Sequence, residues 1–367
     1  MKPRHLKKYV QEDYRLIAIS DIHGHLDRFK QLLKKVNYTT NDYLVILGDF
    51  VEKGDQVIET IHYVQELDKN DRVYVLAGNC EWALEALLTI PEIAGEIPKY
   101  LKRVSANGSI RQIYNKYRFY DGHETDLGVQ KIIANELKEE LTYISKLPTT
   151  LKFNDFLFVH AGLEPRLDYE NCGLSSMLEM QRFLELGHML DEMVIVGHLP
   201  TSNYKPHRID NRVIIDDDKR IICIDGGTGV KPISQLNALV IESKDNNINI
   251  SYDYVQDLPE YRVIKEYKSV QEEIHKISFP HFEVEVLKEG EDFTLCKQTE
   301  TGIELYIKNE FLYSKGHKMY CLDDYTDCFL SVNIGDIIKV AGIYGKYIYG
   351  IKDNHVGWVL NDLIEEL

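Results

Sequence analysis

Six short apolar runs, each followed at once by a polar cluster, constrain this 367-residue chain more than any other feature. Leu16–Ile19 runs into Ser20-Asp21-Ile22-His23-Gly24, and Tyr43–Leu47 into Gly48-Asp49. Val73–Ala77 runs into Gly78-Asn79-Cys80-Glu81, and Phe156–Val159 into His160-Ala161-Gly162. Val194–Val196 meets Gly197-His198, and Ile221–Ile224 meets Asp225-Gly226-Gly227. Several runs are rich in Val and Ile and continuous rather than alternating, as in strands buried on both faces. Helical patterns lie between them, over Leu26–Val36, Gln56–Leu67 and Glu81–Leu88, so the first two thirds read as a layered α/β domain. In open α/β sheets ligands gather beyond the carboxyl ends of the strands. The pattern therefore predicts that six strand ends bearing Asp, Asn or His converge on one place.

The chain is long enough for two domains, and its character changes after about Tyr252. Residues 1–255 are expected to form the α/β domain, with a helical insertion at about 82–146. Residues 256–280 read as a connector holding a short helix over Gln271–Ile277. Residues 281–367 read as a small all-β barrel, from short runs at Phe282–Val286, Phe293–Cys296, Ile303–Ile307, Ile337–Val340, Tyr347–Ile351 and Gly357–Leu360. No internal repeat is evident in the sequence. Met1–Ser20 carries charged residues that include Lys2, Arg4, Lys7, Lys8, Glu12 and Asp13 and has no apolar core, and no stretch approaches the ~18 residues of a membrane span, so a cytoplasmic chain that meets no membrane is expected. Six cysteines without CxxC spacing read as reduced thiols rather than disulfides or a structural zinc site. A net charge of −16 disfavours nucleic acid as a partner.

Mixed Asp, Asn and His donors suit two divalent ions of borderline character, manganese first, with iron or zinc as alternatives. Two such ions ~3.5–4 Å apart hold phosphate oxygens and activate a water for in-line attack. Asp49, in the central loop, is the carboxylate expected to bridge them. His25 reads as a helix-start residue, and His62 and His188 as surface or packing residues.

Asp21-Ile22-His23-Gly24, Gly48-Asp49-Phe50-Val51-Glu52-Lys53-Gly54, Gly78-Asn79-Cys80-Glu81, His160-Ala161-Gly162 and Gly197-His198 together resemble the calcineurin-like metallophosphoesterases. The resemblance is nearest to the small bacterial members of the phosphoprotein phosphatase branch, and covers roughly residues 14–245. It implies a β-sandwich flanked by helices. It also implies that Asp21, His23 and Asp49 bind one ion and that Asp49, Asn79, His160 and His198 bind the other. Three positions depart from that family's pattern. Glu52-Lys53 stands where Asp-Arg is usual, so phosphate meets a point charge rather than a bidentate fork. Cys80 stands where a histidine oriented by the acid at position 52 would protonate the leaving oxygen. Arg166 and Arg182 are the candidates for a second phosphate-binding arginine. The C-terminal segment resembles a bacterial Src-homology-3-like barrel, which implies a peptide partner held by Tyr344, Tyr347, Tyr349 and Trp358, or else a core packed by those same rings.

The function expected first is therefore hydrolysis of phosphate esters on a phosphorylated protein, as in bacterial serine/threonine protein phosphatases, or on a small phosphate ester. Cys80, Glu52 and Lys53 are its catalytic residues, with Lys53, Arg166 and Arg182 on the substrate. A phosphodiesterase or dinucleoside polyphosphate hydrolase is the alternative, and a weakly catalytic phospho-sensing scaffold the third reading. His123 is the other candidate proton donor.

Overall fold

The computed structural model describes residues 2–103, 108–117, 125–271 and 273–367, so His123 lies outside the described residues. The chain divides into two compact units: residues 1–201, 212–230 and 234–256 form the first, and residues 202–211, 231–233 and 257–367 the second.

The first unit holds two sheets. One is six-stranded, in the order His5–Lys8, Thr150–Phe153, Phe156–Val159, Met193–Val196, Ile221–Cys223, Ile214–Asp216. The other is five-stranded, in the order Asn247–Val255, Leu236–Lys244, Tyr14–Ile19, Tyr43–Ile46, Val73–Val75. The six apolar runs are thus two parallel triplets, one in each sheet. Leu16, Ala18 and Val45 from one triplet pack with Phe158, Ile195 and Ile222 from the other in a single core. On the far side, the helix Leu26–Lys35 buries Leu26, Phe29, Leu32 and Leu33. A strand covered on both faces has no solvent side, which is why these runs do not alternate. This is the expected sandwich with flanking helices rather than a single open sheet.

The insertion is helical, with Asn79–Thr89, Ile97–Leu101, Ser109–Tyr117, Asp126–Glu136 and Lys138–Ile144. Its first helix begins at Asn79 itself, so a site residue occupies the helix start. Buried Gln130 ties the end of that helix to the fourth by donating to Leu87 O and Ile90 O at 2.7 and 2.8 Å. Among the described residues no helix is long and apolar enough to cross a membrane.

The second unit is the expected all-β region, built on two antiparallel five-stranded sheets, and it corrects two other expectations. One runs Glu304–Lys308, Phe293–Gln298, Glu283–Lys288, Lys318–Cys321, Leu312–Lys315; the other runs His355–Leu360, Tyr347–Lys352, Ile337–Tyr344, Glu260–Val263, Ile364–Glu366. Each contains a hairpin, then a 3-10 turn (Asn309–Phe311 or Asn361–Leu363), then an edge strand, so an arrangement repeats that the residues themselves do not spell out. Glu260–Val263 lies inside the stretch read as a connector yet is a paired strand; only Val263 of its four residues is buried, too short a signal for a period-two pattern. The helix expected over Gln271–Ile277 does not form: Lys276–Ile277 pairs antiparallel with Tyr325–Thr326. Trp358 and Tyr349 are core residues at 0 % and 4 % exposure, and the indole donates to Thr326 O at 3.0 Å. They are therefore not free to line a peptide groove.

Candidate metal centre

The carboxyl ends of the two parallel triplets supply the site. Asp21 and His23 follow the strand Tyr14–Ile19, Asp49 follows Tyr43–Ile46, and Asn79 follows Val73–Val75. From the other sheet His160 follows Phe156–Val159 and His198 follows Met193–Val196. Asp21, His23, Asp49, Glu52, Lys53 and His198 all adopt positive φ, between 49° and 67°. Left-handed backbone at non-glycine residues is costly and gathers at functional sites, where the surrounding fold holds it in place. Two glycines allow the close approach. A Cβ on Gly78 would fall 2.2 Å from Asp49 Oδ1, and one on Gly197 would fall 1.9 Å from Ser20 Oγ.

The six expected ligands are brought together. His23 Nε2 lies 3.7 Å from both Asp21 Oδ1 and Asp49 Oδ2. On the other side of the same carboxylate, Asp49 Oδ1 lies 3.5 Å from His160 Nε2. Asn79 Oδ1 lies 3.1 Å from His160 Nε2 and 2.9 Å from His198 Nδ1. Asp49 thus presents one oxygen to each group of donors. An ion with bonds of ~2.0–2.2 Å separates its ligands by about 3 to 3.4 Å, so both groups fit a divalent ion with small adjustment. Asp21, His23, Asp49 and His160 are buried, and Asp225 is buried beside them, unused by the sequence reading although its strand end was evident.

The electrostatics match that use. Burial raises the Asp49 carboxyl, but His160 and His23, with donors from Cys80, outweigh it and hold the group at about 2. Burial lowers His23 against the opposing charges of Asp49 and Asp21. Burial, then His160, lowers His198 to about 4, so both rings are neutral at pH 7, as metal ligation requires. Burial, with Asp21 beside it, pushes Asp225 well above the usual carboxylate range. His160 moves the other way: burial lowers it, but Asp49 and Asp21 outweigh burial and raise the ring, while the Lys53 charge acts on Asp225.

Cys80 lies within the cluster. Its backbone N–H donates to Asp49 Oδ1 at 2.8 Å and its thiol to Asp49 Oδ2 at 3.0 Å. Burial, then the Asp49 charge, pushes this thiol well above its ordinary value. Glu52 is engaged elsewhere than with Cys80. Its Oε1 accepts from Ser109 at 2.5 Å, while Oε2 is enclosed without a hydrogen bond among the described residues. Burial raises the Glu52 carboxyl, with Ser109 opposing. Lys53 is exposed, and its charge reaches His23, Cys80 and Asp225, which places it at the mouth of the cluster.

The two arginines behave otherwise than expected. Arg166 spends its fork within its own loop, donating to Asp168 at 2.7 and 3.0 Å and to Asn171 O at 2.9 Å. Arg182 is engaged with Glu185. It is the neighbouring Gln181 that reaches the cluster, 2.9 Å from His198 Nε2. A glutamine carries no charge to attract attention in a sequence.

Glu81 is the other residue whose part was not foreseen. Fully buried, it accepts backbone N–H bonds from Asp49 and Gly78 at 2.8 Å, Phe50 at 2.9 Å and Val51 at 3.1 Å. It pins the loop that carries Asp49, although burial, then Asp49, raises its carboxyl to about 7. Glu81→Gln keeps the shape but turns an amide NH₂ toward two of these N–H groups. At ~1–3 kcal/mol for each unsatisfied donor, the expected loss is about 2–6 kcal/mol. Chemical denaturation checks it, and a midpoint unchanged from wild type would show that the loop holds itself.

Residues 14–223 match the model of the family described as calcineurin-like phosphoesterase. Among curated proteins, the symmetrical bis(5'-nucleosyl)-tetraphosphatase of Vibrio campbellii is 28 % identical over 158 residues, 42 % of this chain and 48 % of that protein. The protein of that name from Vibrio parahaemolyticus is 27 % identical over 155 residues, 42 % and 47 % of the two chains. The chain spans about half the length of the curated relatives it matches. Among solved structures, a metallophosphoesterase from Sphaerobacter thermophilus aligns over 67 % of this chain and 89 % of its own, at 20 % identity and a TM-score of 0.37.

Proposed function

This chain belongs to the calcineurin-like phosphoesterase family, and from that premise we propose that it hydrolyses dinucleoside polyphosphates at a two-metal centre. Asp21, His23 and Asp49 would hold one ion, and Asp49, Asn79, His160 and His198 the other. The ions, when bound, supply Lewis acidity and an activated water. The raised, protonated Cys80 thiol is bonded to Asp49 and is not counted as a ligand. Oxygen and imidazole donors favour manganese, iron or zinc.

The observation that carries this substrate class is Cys80. An alkoxide leaving from phosphoserine needs a proton, and a general acid contributes ~10²–10⁴ in rate. A thiol pushed above its ordinary value and already donating to Asp49 is poorly placed to give one. A terminal phosphate, with a second pKa of about 6, departs as an anion without that help. Lys53 at the mouth offers a point charge that suits a polyphosphate chain. The names of the curated relatives support the same class. At position 80 the protein-phosphatase function expected first meets a thiol bonded to Asp49 where its family pattern has a histidine. In the second unit, the repeated hairpin, 3-10 turn and edge strand support a Src-homology-3-like reading of each five-stranded sheet.

Manganese-loaded protein tested against a bis(5'-nucleosyl) tetraphosphate, an aryl phosphate and a phosphoserine peptide separates the readings. The expected order of kcat/KM is tetraphosphate, then aryl ester, then phosphoserine by a wide margin. Phosphoserine turnover equal to or faster than tetraphosphate turnover would restore the protein-phosphatase reading. No turnover of any of the three would favour the scaffold.

A further inference from the structure

The three histidines of the centre each engage the ring nitrogen turned away from the donor clusters, but not with the same kind of partner. His23 Nδ1 meets Val51 O at 3.2 Å, and His160 Nδ1 meets Leu47 O at 2.7 Å. Both partners are backbone carbonyls, which only accept. Each therefore fixes its ring with a proton on Nδ1 and leaves Nε2 for an ion. His198 is turned the other way: Nδ1 faces Asn79 Oδ1 at 2.9 Å, and Nε2 faces the side-chain amide of Gln181 at 2.9 Å, with the Glu179 backbone also bonded to the ring. An amide both donates and accepts, and a half-turn exchanges the two ends.

The geometry points to Gln181 as the positioning residue of the second ion, acting through His198. This inference rests on the metal-centre reading above. In the observed contacts His198 Nδ1 faces Asn79 Oδ1 and Nε2 faces the Gln181 amide nitrogen, which only donates, so this arrangement puts the ring proton on Nδ1. An ion held at Nδ1 would leave the ring proton on Nε2, where Gln181 Oε1 would accept it after a half-turn of the amide. No atom is gained or lost: one ring proton changes nitrogen, the Nδ1 bond to Asn79 would give way to the ion, and the bond between Nε2 and Gln181 would be remade in the opposite sense. A partner able to serve both tautomers keeps the ring oriented in each state. Outer-shell partners of ligating histidines typically tune metal affinity 10- to 100-fold. Gln181 is exposed, so the lower end of that range is expected here.

The test uses the full chain and manganese alone, titrated against a fluorescent chelator. Gln181→Met keeps length and neutrality but cannot form the bond. It is expected to weaken one of the two ions about tenfold and leave the other unchanged. Ring ¹⁵N spectra of the ion-free protein supply a readout independent of activity. His198 should carry its proton on Nδ1 in the wild type and on Nε2 in Gln181→Glu, whose carboxylate only accepts. Unchanged affinity for both ions in Gln181→Met, or a His198 tautomer indifferent to Gln181→Glu, would overturn the inference. His198→Ala is the discriminating control. If it loses one ion while Gln181→Met loses nothing, only the role of Gln181 fails. If His198→Ala also keeps both ions, the assignment of the second metal fails.

Discussion

Asp49→Asn is expected to abolish turnover and to empty both ion positions. Asp49 is the residue shared by the two donor groups, with Oδ2 near His23 and Oδ1 near His160. Its carboxylate is held at about 2 by His160 and His23 despite its burial, so it is ionised throughout the working range. Asparagine matches its shape but removes the charge and turns an NH₂ toward one ion. That ion loses a ligand outright, and both lose the charge that balances them. Changes to outer-shell partners alone cost ~10–100-fold in affinity, so a shared ligand should cost more than that at each position. His23→Ala should weaken mainly the first ion. Equilibrium dialysis followed by metal analysis measures all three proteins; two ions still bound at wild-type affinity in Asp49→Asn would remove the bridging role.

Cys80→His is expected to raise phosphoserine hydrolysis by ~10²-fold or more, while changing tetraphosphate turnover only a few-fold. The difference follows from the leaving groups, since only the alkoxide needs the proton that an imidazole supplies. The surroundings can receive the ring. Glu52 Oε2 is enclosed without a hydrogen bond among the described residues, and Tyr100 lies close enough for its hydroxyl to feel both Glu52 and Cys80. A carboxylate accepting from one imidazole nitrogen orients the other toward substrate. Kinetics on the two substrates, wild type against variant, decide the matter. Equal acceleration of both would show that residue 80 acts on something other than the departing group.

The first unit was legible because its signals are local. Six strands covered on both faces leave continuous apolar runs, and the residues after them are glycine, Asp, Asn or His whatever the helices between them do. Convergence of the ligands followed from strand direction alone, since each triplet is parallel and ends at the same edge. What was not legible depends on partners remote in sequence. Arg166 reads as a phosphate ligand until Asp168 and Asn171 are seen to occupy it. Gln181 is seventeen residues from the histidine it meets and belongs to no motif. Glu81 was visible within Gly78-Asn79-Cys80-Glu81, but its four backbone donors come from Gly78 and from a loop some thirty residues earlier. In the second unit Glu260–Val263 finds its partners at Ile337–Tyr344 and Ile364–Glu366, so pairing rather than composition makes it a strand.

Anomalous diffraction from crystals of the manganese-loaded protein tests the two-metal centre most directly. Two peaks ~3.5–4 Å apart are expected, one among Asp21, His23 and Asp49, the other among Asp49, Asn79, His160 and His198. A single peak, or two peaks that do not share Asp49, would contradict it.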